Sequence, residues 1–193
     1  MTRKDVGVGL LGLGTVGSAV AKILLNKQGK LAEQIGASLV LKKVLERDVN
    51  KLRSVKLEPH MLTKRVEEVI TDPEVDIVIE VIGGEHPALE YITQAISQGK
   101  HVVTANKEVI AKHGYELLSL AKERSLQLRY EASVGSGIPL ISSFQQDLAA
   151  NDISTIYAIL NGTPENLTKI LSQRTHHFST ALKQAQKLGY AEA

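Results

Sequence analysis

The chain has 193 residues, 43% apolar, 23% charged and 4% aromatic, which excludes disordered and collagen-like chains and gives room for one domain, or one and a half. Lys and Arg number 23 against 21 Asp and Glu, a formal charge of +2 with no run of like charge, so a nucleic-acid partner is not expected. The absence of Cys removes disulfides, thiolate metal sites and a Cys nucleophile together, and is compatible with a reducing cytoplasm.

Residues 6–21 carry no charge, follow Arg3-Lys4 and end in Ala19-Val20-Ala21, the outline of a signal peptide with its small-residue cleavage site. Glycine at five of these sixteen positions (Gly7, Gly9, Gly12, Gly14, Gly17) weakens a helical core, and sixteen residues fall short of the roughly 20 that span a bilayer. The segment is read instead as buried structure, and no membrane partner is expected. Residues 6–11 are an unbroken apolar run, the pattern of a central parallel strand covered on both faces. A glycine-rich turn follows. Val16, Ala19, Val20, Ile23 and Leu24 then recur at helical steps, so a helix over 15–25 begins inside the turn.

A looser stretch holding Gly29 and Gly36 leads to a second strand over 39–45, and residues 51–74 are mostly polar with one helix over 65–70. A buried strand over 75–82 closes at Gly83-Gly84, and Pro87 suits the first turn of a helix ending before Gly99. Residues 101–104 make a short strand, 108–124 a helix broken at His113-Gly114, and 126–130 another strand. Five strands alternating with helices predict an α/β fold with a doubly wound parallel sheet. After Glu131 the texture changes to a loop over 132–137, a helix over 139–148, a longer strand over 153–160, and two helices over about 165–173 and 178–188, the second capped by Gly189. Two domains are therefore expected, 1–132 and 133–193.

Gly12-Leu13-Gly14-Thr15-Val16-Gly17 fits the pattern G-x-G-x-x-G between a strand and a helix, the context a dinucleotide site requires. Gly12 permits the tight turn, Gly14 lets the backbone approach a pyrophosphate, and Gly17 lets helix and strand pack closely. Ribose selectivity belongs at the end of the second strand, where the signals conflict. Glu46 can accept from a 2′-hydroxyl and so favours NAD; Arg47 can pair with a 2′-phosphate and so favours NADP. Both are also consistent with a solvated charge cluster. Gly83-Gly84, Thr104-Ala105-Asn106-Lys107 and the stretch from Glu131 to Gly137 lie at further expected strand ends, where open α/β sheets bind ligands. His176-His177 lacks metal-ligand spacing, and His60, His86, His101 and His113 are scattered, so none is assigned acid–base work.

The glycine turn, Glu80-Val81-Ile82-Gly83-Gly84, Gly99-Lys100-His101-Val102-Val103-Thr104-Ala105-Asn106-Lys107, Glu131-Ala132-Ser133-Val134-Gly135-Ser136-Gly137-Ile138-Pro139, Ile159-Leu160-Asn161-Gly162-Thr163 and Gly189-Tyr190-Ala191-Glu192-Ala193 together resemble homoserine dehydrogenases in order and spacing. The resemblance implies a Rossmann-type coenzyme domain followed by an incomplete α+β substrate domain. It implies NADP, or NAD, and reversible conversion of L-homoserine to L-aspartate 4-semialdehyde on the route to threonine and methionine. It further implies that Gly12, Leu13, Gly14, Thr15, Val16 and Gly17 touch the dinucleotide, that Arg47 meets a 2′-phosphate, and that Gly83, Thr104 and Lys107 line the nicotinamide side.

By the same resemblance Lys107 is a catalytic candidate, its ammonium placed to polarise the semialdehyde carbonyl. Gly189 matches a coenzyme contact and Glu192 a ligand of the substrate amine. Glu131, with the carbonyls of Val134, Ser136 and Ile138, matches a structural sodium or potassium site. Ser136 stands where a glycine is common, and Pro164-Glu165-Asn166 departs from the usual substrate-side sequence. The family's sequence continues past this point to an essential Asp and its principal catalytic Lys, so the isolated chain is expected to bind NADP(H) and to turn over poorly. The other reading is a short NAD(P)-binding protein acting as a sensor or as one half of a split enzyme. A cytoplasmic homo-oligomer is expected, with an apolar edge over 153–160.

Overall fold

The computed structural model describes residues 5–48, 53–135 and 137–157, and the chain divides into two compact units, Met1–Tyr130 and Glu131–Ala193. In the first unit, strand β1 (Asp5–Leu11) is buried on both faces because it lies inside a parallel sheet. Its side chains alternate. Val8 and Leu10 enter one core with Ala21, Leu24 and Val44, while Leu11 enters another with Val78, Ile92, Ile96 and Val102. On the second of these faces β1 has glycine: a Cβ on Gly9 would stand 2.5 Å from Val69 Cγ1, and one on Gly7 would overlap the Glu74 carbonyl.

Helices α1 (Thr15–Asn26) and α2 (Gln28–Ile35) lead to β2 (Ser38–Leu45), and then come β3 (Leu62–Thr63), α3 (Glu67–Ile70), β4 (Ile77–Glu80), α4 (Ala88–Ser97), β5 (His101–Thr104), α5 (Lys107–Glu123) and β6 (Leu128–Arg129). All pairings are parallel, in the order β3-β2-β1-β4-β5-β6. This is the doubly wound, Rossmann-type arrangement, and the strand order reverses between β1 and β4, where a crevice opens at the carboxyl ends. α4 is fastened beneath by Ile92 and Ile96, both without exposure, each burial stabilising by about 1.5–3 kcal/mol.

Several elements differ from the sequence expectation. The stretch holding Gly29 and Gly36 forms α2, because Ala32 is buried and Leu31 packs on the core beside β2; Gly36, at φ 80°, ends it in the left-handed region. The two-residue β3 was too short to leave a hydrophobic pattern, and it exists because Leu62 and Thr63 pair with Val44 and Leu45. β4 is shorter than 75–82, although Asp76 and Val81 N–H groups extend its pairing to Gly7 and Leu11 carbonyls at 2.9 Å. α5 runs unbroken through His113-Gly114: Gly114 lies on its buried face with Val109, Leu117 and Ala121, and that packing offsets the roughly 1 kcal/mol a mid-helix glycine costs. β6 covers only two of the expected five residues.

In the second unit a 3-10 turn over Glu131–Ser133 precedes a π-helical turn over Ser143–Asp147, in place of a regular helix over 139–148. Residues 153–157 of the expected strand form no ladder and are exposed, and 158–160, with the two later helices, lie outside the described residues. No helix among the described residues is long and apolar enough to cross a membrane.

Candidate functional site

A cleft of about 380 Å³ opens at the carboxyl ends of β1 to β4, at the point where the strand order reverses. Gly12, Leu13 and Gly14 line it after β1, Glu46 and Arg47 after β2, Lys64 after β3, and Val81 to Gly83 after β4. The glycine turn is built from close approaches. Gly12 has φ 101°, a left-handed conformation that side chains disfavour, and donates its N–H to the Leu45 carbonyl at 3.0 Å. A Cβ on Gly17 would overlap the Gly12 carbonyl oxygen, whereas one on Gly14 meets nothing within 4 Å.

The open space at Gly14 faces the start of α1, which has no side-chain cap and no acidic residue in its first turn. Its N–H groups and the positive end of its dipole are thus offered to an anion, as a pyrophosphate requires. Ser18 braces the turn by donating to the Leu13 carbonyl at 3.1 Å. Thr15 and Val16 are exposed beside it; the cleft lining itself does not include them.

At the β2 end, Glu46 is buried at 8% exposure, and its Oε2 lies 2.5 Å from Arg53 Nη2. Its Oε1 accepts the Asp48 N–H at 3.2 Å. Arg47 is exposed on the cleft, and Arg53 and Lys64 line the same region. Neither Arg53 nor Lys64 was marked by a motif. Lys64 follows a strand too short to read, and Arg53 reaches Glu46 across seven residues of sequence.

On the other side, Gly83 and Gly84 turn at φ 79° and 72°. The Gly84 carbonyl accepts from Asn106 Nδ2 at 2.7 Å, and Asn106 Oδ1 also caps α5 by accepting the Val109 N–H at 3.1 Å. Thr104 is wholly buried. Its hydroxyl donates to Glu80 Oε2 at 2.6 Å and accepts the Asn106 N–H at 3.0 Å, while Glu80 Oε1 accepts the Ile82 N–H at 2.7 Å. Thr104 therefore orders the turn from within, and Lys107 stands exposed on the first turn of α5. A cation at a helix N-terminus is disfavoured by roughly 0.3–1 kcal/mol, so helix stability does not account for its presence.

Glu85 ties this turn to α5: Lys112 Nζ lies 2.5 Å from its Oε2 and His113 Nε2 2.8 Å from its Oε1. Those hydrogen bonds hold the Glu85 carboxyl down at about 2, and Glu108 with Glu85 raises the Lys112 ammonium above its ordinary value. His86, which lines the cleft, pairs with Glu90 at 2.6 Å.

In the second unit the Glu131 carboxylate accepts three backbone N–H groups, from Leu140 at 2.6 Å, Ile141 at 2.9 Å and Ser142 at 2.7 Å. Burial works against its charge, but the N–H groups of Ser142, Ile141 and Leu140 outweigh it and hold the carboxyl below its ordinary range. The Ser142 side chain is a further hydrogen-bond partner of the same carboxylate. The loop that follows turns through Gly135 and Gly137 at φ 74° and 96°. Val134 and Ile138 lie in this loop, while Ser136, Gly189 and Glu192 lie outside the described residues.

The model of the homoserine dehydrogenase NAD binding domain matches residues 12–131, and that of homoserine dehydrogenase matches 139–193. The chain is 46% identical to the homoserine dehydrogenase of Bacillus subtilis, over 98% of its own length and 44% of that protein's. It is 43% identical to that of Synechocystis, over 97% of its own length and 43% of that protein's. Among solved structures, a homoserine dehydrogenase from Thiobacillus denitrificans superposes with a TM-score of 0.87 at 39% identity, over 99% of this chain and 44% of that one. The chain thus spans less than half the length of these relatives. With a nucleotide-binding sheet, an open glycine turn at its switch point and a family match across 12–131, the chain belongs to the homoserine dehydrogenase family.

Proposed function

We propose that the chain forms the coenzyme-binding part, residues 1–132, and the start of the substrate domain, 133–193, of an NADP-dependent homoserine dehydrogenase that interconverts L-homoserine and L-aspartate 4-semialdehyde. The observation that carries this reading is the cleft at the β1/β4 switch point, with an uncapped helix start on one side and Arg47 and Lys64 on the other. A bound nicotinamide coenzyme supplies the hydride chemistry. The protein's own work is to bind and orient. Gly12, Leu13, Gly14, Thr15, Val16 and Gly17 seat the pyrophosphate, Arg47 meets the 2′-phosphate, and Gly83 gives the nicotinamide side close backbone approach.

Lys107 holds its ammonium toward the substrate carbonyl and stabilises the developing alkoxide, while Thr104 fixes the backbone that presents it. Gly189 and Glu192 are assigned to coenzyme and substrate amine by the family resemblance. Glu131, with the carbonyls of Val134, Ser136 and Ile138, holds a structural sodium or potassium ion. Exposure of Ile153, Ile156 and Tyr157 supports assembly into a homo-oligomer through this apolar segment, and the setting is cytoplasmic.

Fluorescence titration of the chain with NADPH and NADH tests the coenzyme assignment. Saturable binding is expected, tighter for NADPH. Arg47→Ala is expected to weaken NADPH about tenfold or more and to leave NADH nearly unchanged. Failure of the unaltered chain to bind either coenzyme overturns the reading.

A further inference from the structure

The ribose end of the cleft contains an apparent contradiction. A phosphate-binding pocket is built of cations, yet Glu46, the residue immediately before Arg47, is a buried carboxylate on its wall. A bare carboxylate there would accept the 2′-hydroxyl of NAD and repel the 2′-phosphate of NADP, because like charges in a partly desolvated site disfavour each other. In this fold the carboxylate is not bare. Oε2 is taken by Arg53 Nη2 and Oε1 by the Asp48 N–H. Arg47 and Lys64 line the same end of the cleft, so with Glu46 matched by Arg53 their charges are not spent on that buried carboxylate.

Arg53 is also incompletely used. Its Nε is the one buried side-chain nitrogen or oxygen without a hydrogen-bond partner among the described residues. Arginines placed only to hold a fold satisfy such groups almost always, since leaving a buried donor unmade is costly. The pair is therefore poorly explained as a structural brace.

We propose that Arg53 sets the coenzyme preference of this cleft by neutralising Glu46: it withdraws the carboxylate from the ribose 2′-hydroxyl and removes its repulsion of the 2′-phosphate. Arg53 is thus a positioning residue that acts through Glu46, whereas Arg47 meets the phosphate itself. The inference rests on the NADP reading above.

A double-mutant cycle read with both coenzymes separates the two. Arg53→Gln is expected to weaken NADPH about 30-fold and to leave NADH unchanged or a few-fold tighter, as the freed Glu46 turns to the hydroxyl. Glu46→Gln is expected to keep NADPH binding, with its preference over NADH equal or greater. The double variant is expected to recover NADPH binding to within about fivefold of the unaltered chain. If the double variant binds NADPH as poorly as Arg53→Gln, Arg53 contacts the phosphate directly and the proposal falls. Should Arg53→Gln fail to fold by circular dichroism, Glu46→Gln decides: a fall in NADPH preference overturns the idea. Loss of both coenzymes by the unaltered chain instead overturns the NADP reading, a result distinct from either.

Discussion

On the function proposed above, the two ends of the cleft recognise the coenzyme by different means. At the glycine turn the recognising groups are backbone N–H donors of α1, and what selects the residues is space: Gly17 cannot carry a Cβ and Gly14 can. At the β2 end the recognising groups are side-chain charges, and what selects them is balance, with Glu46 matched by Arg53 while Arg47 and Lys64 line the cleft. Pyrophosphate is common to both coenzymes, and only the 2′ substituent differs. The first end should therefore govern whether a dinucleotide binds, and the second which one.

The largest effect is expected at Gly17. Gly17→Ala puts a methyl group into the Gly12 carbonyl oxygen, backbone against backbone, and should destabilise by about 3 kcal/mol or more; an unchanged melting temperature would show that the turn yields. Gly14→Ala should leave the free protein's unfolding free energy within about 0.5 kcal/mol of the original, because its Cβ enters open space. If that space takes the pyrophosphate, as proposed, the substitution should weaken NADPH and NADH alike, by about tenfold. A loss confined to one coenzyme would break the division of labour between the two ends.

A smaller effect concerns the Gly83-Gly84 turn. The hydrogen bonds from Lys112 and His113 lower the Glu85 carboxyl from 4.5 to about 2. The folded value lies below the unfolded one, so the stabilising contribution is complete above about pH 5 and is lost as pH falls toward about 2. Carboxyl titration followed by NMR should place the Glu85 midpoint near 2, and a midpoint above 4 would mean that the tie to α5 is not held in solution. Glu85→Gln should loosen the turn at neutral pH, read as faster amide exchange at Gly83 and Gly84.

The glycine turn could be read directly because its logic is local: a strand, three glycines and a helix contiguous in sequence are also contiguous in space. The same holds for β1, β5 and α1, whose patterns are long or cleanly bounded. α2 escaped because its burial is one-sided and its glycines suggested a loop, and β3 because two residues carry no period. At the site, Glu46 and Arg47 were visible as opposed signals, but nothing in their neighbourhood resolved them.

By itself the sequence determined the alternation that makes a parallel sheet, the position of the dinucleotide turn within it, and, through motifs running from Gly12 to Ala193, the family resemblance. Only the tertiary structure decided that Arg53 closes on Glu46, that Lys64 joins Arg47 at the cleft, and that Thr104 is an internal brace held by Glu80. The physical reason is range. Hydrophobic period and glycine spacing are properties of neighbouring residues, whereas the charge balance of a pocket is set by side chains that strand pairing brings together from different parts of the chain.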